Sequence, residues 1–386
     1  MLEIFPSGRN AQSRCVESDE IETNNGVYCF SGGLMPMRAA FLYDKKDLRV
    51  QEVPQPKIGE GEILLRTMSA SVCGTDIRMW KNGHAFATPE RPLIIGHEMS
   101  GLVAAVGPGV SGYQVGDRVC VAPNYNVTST KLSITGDGHL DPNYRALGIH
   151  EHGAFAEFVR IPREAVTQGN VFPIPANVTF AEAALVEPLA CVYNAYEKVR
   201  TSPGDVVLII GAGPIGVMHA KISRMAGAGK VIINDIHENR LQIARTIDKS
   251  FITIEGDPVN EVVQLTRGSG PDVIITACSA SSAQMLAVEL AAVNGRVVFF
   301  GGLPKGESLV QLDTNLIHYK QLFVTGTTRQ SLRHFLKTLD LIANDLVEVE
   351  DLLTSTHTIS EVEDAIENAA SASGLKSRVT FENLAG

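Results

Sequence analysis

VVLIIGAGPIGVMHAKISRMAGAGKVIIND, residues 206–235, decides the fold of this chain. Five apolar residues, Val206 to Ile210, run without alternation into Gly211-Ala212-Gly213-Pro214-Ile215-Gly216, and a helix-length segment follows. A second apolar run, VIIN (231–234), then ends on Asp235. Uninterrupted apolar strands separated by helices signal a parallel sheet covered on both faces. The glycines permit a tight turn and a close backbone approach, so a pyrophosphate can sit against the positive N-terminal end of the helix-like GVMHAKISRMAGA into which they run. Asp235 ends the next strand, where a carboxylate accepts the ribose hydroxyls of a dinucleotide and repels a ribose 2′-phosphate. Gly211, Gly213, Pro214, Ile215, Gly216 and Asp235 therefore form a cofactor-binding set that favours NAD over NADP, and nearby Arg240 weakens that preference only slightly.

Further apolar runs, DVIIT (272–276) and RVVFF (296–300), extend this α/β texture to about residue 325. Upstream the texture differs. Short β-like stretches such as EILLRTMSASV (62–72) and GLVAAVG (101–107) alternate with Gly- and Pro-rich turns, which describes a mostly β domain. Beyond residue 330 come two helical stretches, one opening on a Ser360-x-x-Glu363 capping box, and a strand-like SRVTF (377–381) that returns to the first domain. Residues 1 to 36 show neither helical nor strand periodicity and read as a disordered extension, with Met35 and Met37 as alternative starts of translation.

Composition bounds the function. A chain of 386 residues with 44% hydrophobic residues, 20% charged residues and 35 glycines holds ample core for two domains. Its net charge of −10 and pI near 5.5 argue against nucleic acid as a partner, because backbone binding needs clustered Lys and Arg. No run approaches the roughly 18 to 20 apolar residues that span a bilayer, so no membrane partner is expected. Six scattered cysteines (Cys15, Cys29, Cys73, Cys120, Cys191, Cys278) do not read as a disulfide framework, which fits a reducing, cytoplasmic compartment.

Three segments carry metal-ligand chemistry: SVCGTD with Cys73, Thr75 and Asp76, IIGHEMSG with His97 and Glu98, and VEPLACV with Glu187. A catalytic zinc takes three protein ligands of thiolate, imidazole or carboxylate type and keeps one position open. Singly, such residues are more often core cysteines or solvated carboxylates. Their combination ahead of a dinucleotide turn shifts the balance.

At this point the chain, over residues 37 to 382, resembles the zinc-dependent medium-chain alcohol and polyol dehydrogenases. Their GHExxGxxxxxGxxV pattern is readable as Gly96-His97-Glu98, Gly101, Gly107 and Val110, with Ser100 a minor departure, and VGDRV (115–119), GAFAEFV (153–159) and EPLACV (187–192) add to it. The resemblance implies a GroES-like, mostly β catalytic domain over 37–188 and 330–386, and a Rossmann domain with a doubly wound parallel sheet over 189–329. It implies Cys73 and His97 as zinc ligands, and Glu187 at the carboxylate position of the sorbitol dehydrogenase branch, binding directly or through water, with Glu98 as the adjacent exchangeable ligand. Between the two glutamates the sequence leaves the choice open. It further implies Asp76 as the carboxylate that orients the histidine, Thr75 as the proton-relay hydroxyl, the GGLP run (301–304) beside the nicotinamide, and a homodimer or homotetramer.

Two departures stand out. The four cysteines with which many relatives hold a structural zinc fall at Val127, Thr130, Ser133 and Asp141, so one zinc per subunit is expected, and nearby His139, His150 and His152 are read as structural or surface residues. Arg78 stands where several relatives place a relay histidine, and arginine cannot act as a base near neutral pH. The resemblance also implies a substrate-cleft role for Arg329, since Gly326-Thr327-Thr328-Arg329 is similar to the stretch with which the polyol branch of the family places an arginine there. The expected reaction is NAD-linked oxidation of a secondary alcohol, a polyol or sugar derivative, to the ketone. A zinc-free NAD(P)-dependent reductase and a catalytically silent dinucleotide-binding protein are the alternatives.

Overall fold

The computed structural model describes residues 36–371 and 373–381. The expected N-terminal extension, apart from residue 36, lies outside them, as do Cys15, Cys29 and residues 382–386. Among the described residues no helix is long and apolar enough to cross a membrane, and Cys73, Cys120, Cys191 and Cys278 are free thiols.

Six parallel strands form the sheet announced by the opening motif. In spatial order they are Ile252–Glu255, Lys230–Asp235, Val206–Ile210, Val273–Thr276, Arg296–Phe299 and Phe323–Gly326. Strand order reverses between Val206–Ile210 and Val273–Thr276, so the glycine turn opens at the switch point where doubly wound sheets bind ligands. Along Val206–Ile210 successive residues serve opposite cores: Val207 and Ile209 join the cluster that includes helix Val186–Val199, while Leu208 and Ile210 join the one containing Ala283 and Ala287. Burial on both faces is why these strands carry no polar alternation.

The remaining strands are predominantly antiparallel. Ile63–Ser71 pairs with Glu98–Val106 on one side and with Lys376–Thr380 on the other, Arg378 opposite Ser71. The C-terminal segment thus closes back onto the first domain, bringing Lys376 beside residues read more than 270 positions earlier. The helix Val186–Val199 runs unbroken across residues 188 and 189. One capping assignment is corrected. The box before helix Val362–Ser371 is Thr358 with Glu361, not Ser360 with Glu363: Glu361 accepts from the Thr358 backbone N–H at 2.8 Å, and Glu363 instead accepts from Trp80 Nε1 at 3.1 Å. Thr358 ends a strand and keeps the extended backbone a cap requires, whereas Ser360 already lies inside a helical turn.

On helix Pro214–Met225, His219 is buried edge-on against Phe300, ring centroids 4.8 Å apart. Burial pulls its pKa down to about 3. The unfolded chain takes up that proton near pH 6.5 and the folded one near 3, so stability is full above pH 6.5 and falls as the pH drops between the two. The slope is about 1.4 kcal/mol per pH unit for one such group. His219→Leu is expected to recover about 2 kcal/mol at pH 5 relative to pH 7, read as the change in urea midpoint between the two pH values. An unchanged pH dependence in the variant would refute this account.

Candidate active site

Cys73 follows strand Ile63–Ser71 by two residues and caps helix Gly74–Asn82. Asp76, in the first turn, folds back so that its Oδ2 accepts the Cys73 backbone N–H at 2.9 Å. Its other oxygen accepts the Gly96 N–H at 3.2 Å and lies 3.4 Å from His97 Nδ1. A fully buried carboxylate therefore braces both donor-bearing turns. At 3.4 Å the contact to His97 is longer than a formed hydrogen bond, and Nδ1 has no other partner among the described residues. Burial alone would lower the His97 pKa, but Asp76 and Cys73 outweigh it and raise it well above the usual value. Gly96 has φ +91°, and a Cβ there would meet the Phe155 ring at 2.8 Å, so only glycine allows the turn that presents His97.

Glu98 opens strand Glu98–Val106 and is completely buried. The donor atoms of Cys73, His97 and Glu98 all lie within 4.8 Å of one another, the one such metal-capable group of three among the described residues. Thiolate, imidazole and carboxylate within that span suit a zinc ion. Glu98 is already engaged: Ser71 Oγ donates to it, and the buried Lys376 ammonium lies 2.7 Å from its Oε1 while also donating to the Val72 carbonyl at 2.7 Å. Burial would lower the Lys376 pKa, but Glu98, Cys73 and Glu187 together hold it above the usual lysine value. No motif in the sequence marked Lys376; a single lysine beside a strand-like run carries no signal.

Glu187, also buried, stands in the first turn of helix Val186–Val199. Burial lifts its pKa to about 7, with Glu98 adding and His97 and Lys376 opposing. Its side-chain contacts are to uncharged groups, Cys191 Sγ at 3.8 Å and the Gln330 amide, while the charged groups act on it through space. Cys191 and Gln330 were likewise unmarked, although the spacing of Glu187 and Cys191, one helical turn, was visible in VEPLACV.

Thr75 Oγ1 accepts from the exposed Arg78 guanidinium at 3.0 Å. The hydroxyl expected to act as relay and the arginine beside it are thus direct partners, and an arginine cannot take a proton from Thr75 near neutral pH. Arg329, held at φ +56°, donates from Nη1 to the His139 carbonyl at 2.5 Å and lies 4.0 Å over the Tyr144 ring. Its charge is spent partly on the segment whose cysteines are missing. There Thr130 and Ser133 cap the turn Lys131–Ile134, and His139 packs edge-on against His334, ring centroids 6.0 Å apart. His150 and His152 each accept a backbone N–H, from Ala146 and Ile94.

The cofactor set is gathered at the sheet switch point. Gly211 has φ +114°, and a Cβ on Gly216 would fall 1.8 Å from the Gly211 carbonyl oxygen, so strand and helix can approach only through glycine. Gly213 caps the helix and Pro214 fills its first turn. Asp235 accepts the Ala212 N–H at 2.7 Å and the His237 N–H at 2.9 Å, which ties the acid to the glycine turn. The Arg240 guanidinium lies beside Gly213, and its buried Nε has no partner among the described residues. Ile215, half-buried, packs against the core that contains Val207.

Known proteins match this chain over both of its parts. Residues 59–175 match the family described as alcohol dehydrogenase GroES-like domain, and residues 214–344 match zinc-binding dehydrogenase. The chain is 31% identical to an L-threonine 3-dehydrogenase of Ruegeria pomeroyi over 348 residues, 88% of this chain and 97% of that one. It is 30% identical to a sorbitol dehydrogenase of Halalkalibacterium halodurans over 336 residues, 86% and 95% of the two chains. Among solved structures, a putative zinc-binding dehydrogenase from Sinorhizobium meliloti bound to NADP superposes with a TM-score of 0.81 at 29% identity, covering 90% of this chain and 99% of the other. Two matched domains and near-full-length relatives at 30% and 31% identity place the chain in the zinc-dependent medium-chain alcohol and polyol dehydrogenase family.

Proposed function

We propose that this protein oxidises a secondary alcohol, on a polyol or sugar-like substrate, to the ketone, with one zinc ion held by Cys73, His97 and Glu187 and with NAD as acceptor. The observation that carries the reading is the convergence of Cys73, His97 and Glu98 within 4.8 Å beside Glu187. Glu98 is directly hydrogen-bonded to the Lys376 ammonium, whereas Glu187 has the Cys191 thiol as its hydrogen-bond partner and Lys376 reaches it only through its field, which favours Glu187 as the third ligand, directly or through a water molecule. A zinc ion held there would supply the Lewis acidity that lowers the pKa of a substrate hydroxyl, and a bound nicotinamide would supply the hydride acceptor. Asp76 orients His97, leaving Nε2 as its donor atom. Thr75, with one lone pair occupied by Arg78, keeps the other for the substrate hydroxyl, and the proton leaves by water rather than by Arg78. We assign the donors to residues 37–188 and 330–386, and the cofactor to residues 189–329.

A second reading of the substrate, a β-hydroxy α-amino acid, is favoured by the identity to the threonine dehydrogenase. The test measures zinc per chain by mass spectrometry and NAD reduction with sorbitol, xylitol, 2,3-butanediol and L-threonine. One zinc and turnover of a polyol are expected; turnover without zinc would indicate the zinc-free reductase, and neither zinc nor turnover a silent dinucleotide binder. The NAD assignment has its own check. Asp235→Asn is expected to raise KM for NAD about 10- to 100-fold, the worth of a hydrogen bond to a charged group, while discrimination against NADP falls; unchanged discrimination would count against Asp235.

A homodimer or homotetramer is part of the proposal. Strand Phe323–Gly326 is the outer strand of the parallel sheet, and Phe323, Tyr319 and Leu309 are exposed, which leaves an apolar edge for a second copy to cover. Sedimentation of the purified protein decides it.

A further inference from the structure

Four rings form a continuous chain beside the donor-bearing turns. His84 lies 5.8 Å from Phe86, Phe86 meets His150 edge-on at 5.0 Å, and His150 meets Tyr144 edge-on at 5.2 Å, centroid to centroid. The Arg329 guanidinium closes the chain, 4.0 Å from the Tyr144 ring centre. Each segment involved is tied to the site. Helix Gly74–Asn82 starts on the Cys73 turn and ends two residues before His84. Gly148, two residues before His150, packs so closely on the His97 turn that a Cβ there would lie 2.1 Å from the Gly96 carbonyl oxygen. Arg329 precedes Gln330, whose Oε1 accepts from Asn124 Nδ2 at 3.4 Å and from Cys191 Sγ at 3.0 Å, on the helix that carries Glu187. The four rings and Arg329 are all half-buried, so the chain lies at a surface rather than inside a core. Three of its edges are polar and open. His150 Nδ1 accepts the Ala146 N–H at 3.0 Å, but His150 Nε2, His84 Nε2 and Tyr144 Oη bond nothing among the described residues, and none of the three is sealed from solvent. His84 Nδ1 and Gln330 Nε2 are buried and likewise unpartnered among the described residues, hydrogen-bonding capacity that calls for an explanation.

We infer that this chain of rings is a distal subsite of the substrate cleft, holding the carbons beyond the reacting one, so that the substrate class is a sugar-sized polyol rather than a short diol or a hydroxyamino acid. The inference rests on the alcohol-oxidation reading above. A polyol chain is apolar on its C–H side and polar at its hydroxyls, and ring surfaces that alternate with hydrogen-bonding edges match both. Burial holds His84 and His150 below the usual histidine pKa, so near neutral pH both rings are uncharged and suit hydroxyls rather than an anion. Arg329 adds little free charge, because its guanidinium lies over Tyr144 and donates to the His139 carbonyl at 2.5 Å. It is a positioning residue that holds the Tyr144 ring.

Sorbitol and 2,3-butanediol separate the distal contact from the chemistry, because both present a secondary hydroxyl but only sorbitol continues as a long hydroxylated chain. The wild-type protein is expected to favour sorbitol in kcat/KM. Phe86→Ala should lower the sorbitol-to-butanediol ratio of kcat/KM about 10- to 100-fold, the worth of covering one aromatic side chain. Tyr144→Phe keeps the ring and is the safer variant for folding; it should lower the ratio about 2- to 10-fold, the worth of one hydrogen bond. A fall in either variant supports the subsite. A ratio unmoved in both overturns it, since a ring that serves only the fold lowers the two rates together, and so does a wild-type preference for butanediol. If the wild-type protein oxidises neither alcohol, the proposed reaction fails, and calorimetry with sorbitol then reads the subsite by itself. Weaker sorbitol binding in Phe86→Ala than in the wild type sustains it; binding that is absent, or equal in the two proteins, refutes it.

Discussion

Replacing Cys73 with alanine is expected to empty the metal site and lower kcat/KM by about a thousandfold or more. A Lewis-acid metal supplies several kcal/mol of charge stabilisation, and each 1.36 kcal/mol is a factor of ten in rate. Removing Cys73 takes away the only thiolate in the cluster with His97 and Glu98. It leaves the proposed set with the His97 imidazole and the Glu187 carboxylate alone, since Glu98 is already committed to Lys376. The fold should survive, because Cys73 is only half-buried and the cap hydrogen bond is made by its backbone N–H to Asp76, which alanine retains. The expected phenotype is thus specific: NADH binding persists through the Gly211–Gly216 turn, while zinc per chain and alcohol oxidation both collapse. Zinc analysis, NADH fluorescence and kcat/KM on the best alcohol distinguish the cases. Full zinc content with unchanged kcat/KM in Cys73→Ala would sink the assignment.

What the sequence made legible follows from how each feature encodes itself. Val206–Ile210, Lys230–Asp235, Val273–Thr276 and Arg296–Phe299 are readable because both of their faces are buried, which forces continuous apolar runs. The two outer strands, Ile252–Glu255 and Phe323–Gly326, are short and partly exposed, and nothing in ITIE or FVTG separates them from loop. The glycine turn announces itself through local spacing, whereas Cys73, His97 and Asp76, weak signals singly, become legible through their combination and the resemblance it carries, each serving a turn or helix start that fixes its neighbours. Lys376 could not be read that way. Its partner Glu98 is 278 residues distant, and the pairing exists only because strand Lys376–Thr380 lies antiparallel to Ile63–Ser71. Arg329 shows the converse limit. Its spacing pointed toward substrate, but its guanidinium lies over Tyr144 and bonds the His139 carbonyl, a contact that depends on where residues 139–144 fold.

The buried pair of Lys376 and Glu98 carries the second large expectation. Lys376→Met should cost about 3 to 5 kcal/mol, the penalty for leaving one member of a buried ion pair uncompensated, which corresponds to a drop in Tm of roughly 6 to 20 °C. Side-chain exposures of 4% and 0% leave neither group a route to solvent. The variant also strips the Val72 carbonyl of its donor next to the Cys73 turn. The penalty should be largely one of charge rather than of packing, because methionine fills nearly the same volume as lysine. Adding Glu98→Gln to Lys376→Met removes the stranded carboxylate and is therefore expected to restore stability, so that the double variant is more stable than Lys376→Met alone. A double-mutant cycle in urea reads this as a coupling well above the additive error of independent sites. If the two single costs simply add, Lys376 is a packing residue and the charge of Glu98 is offset elsewhere. If the coupling appears, it explains how two buried carboxylates can stand close together: the lysine offsets the charge of Glu98, and its field also favours the ionised form of Glu187 against the burial that raises its pKa.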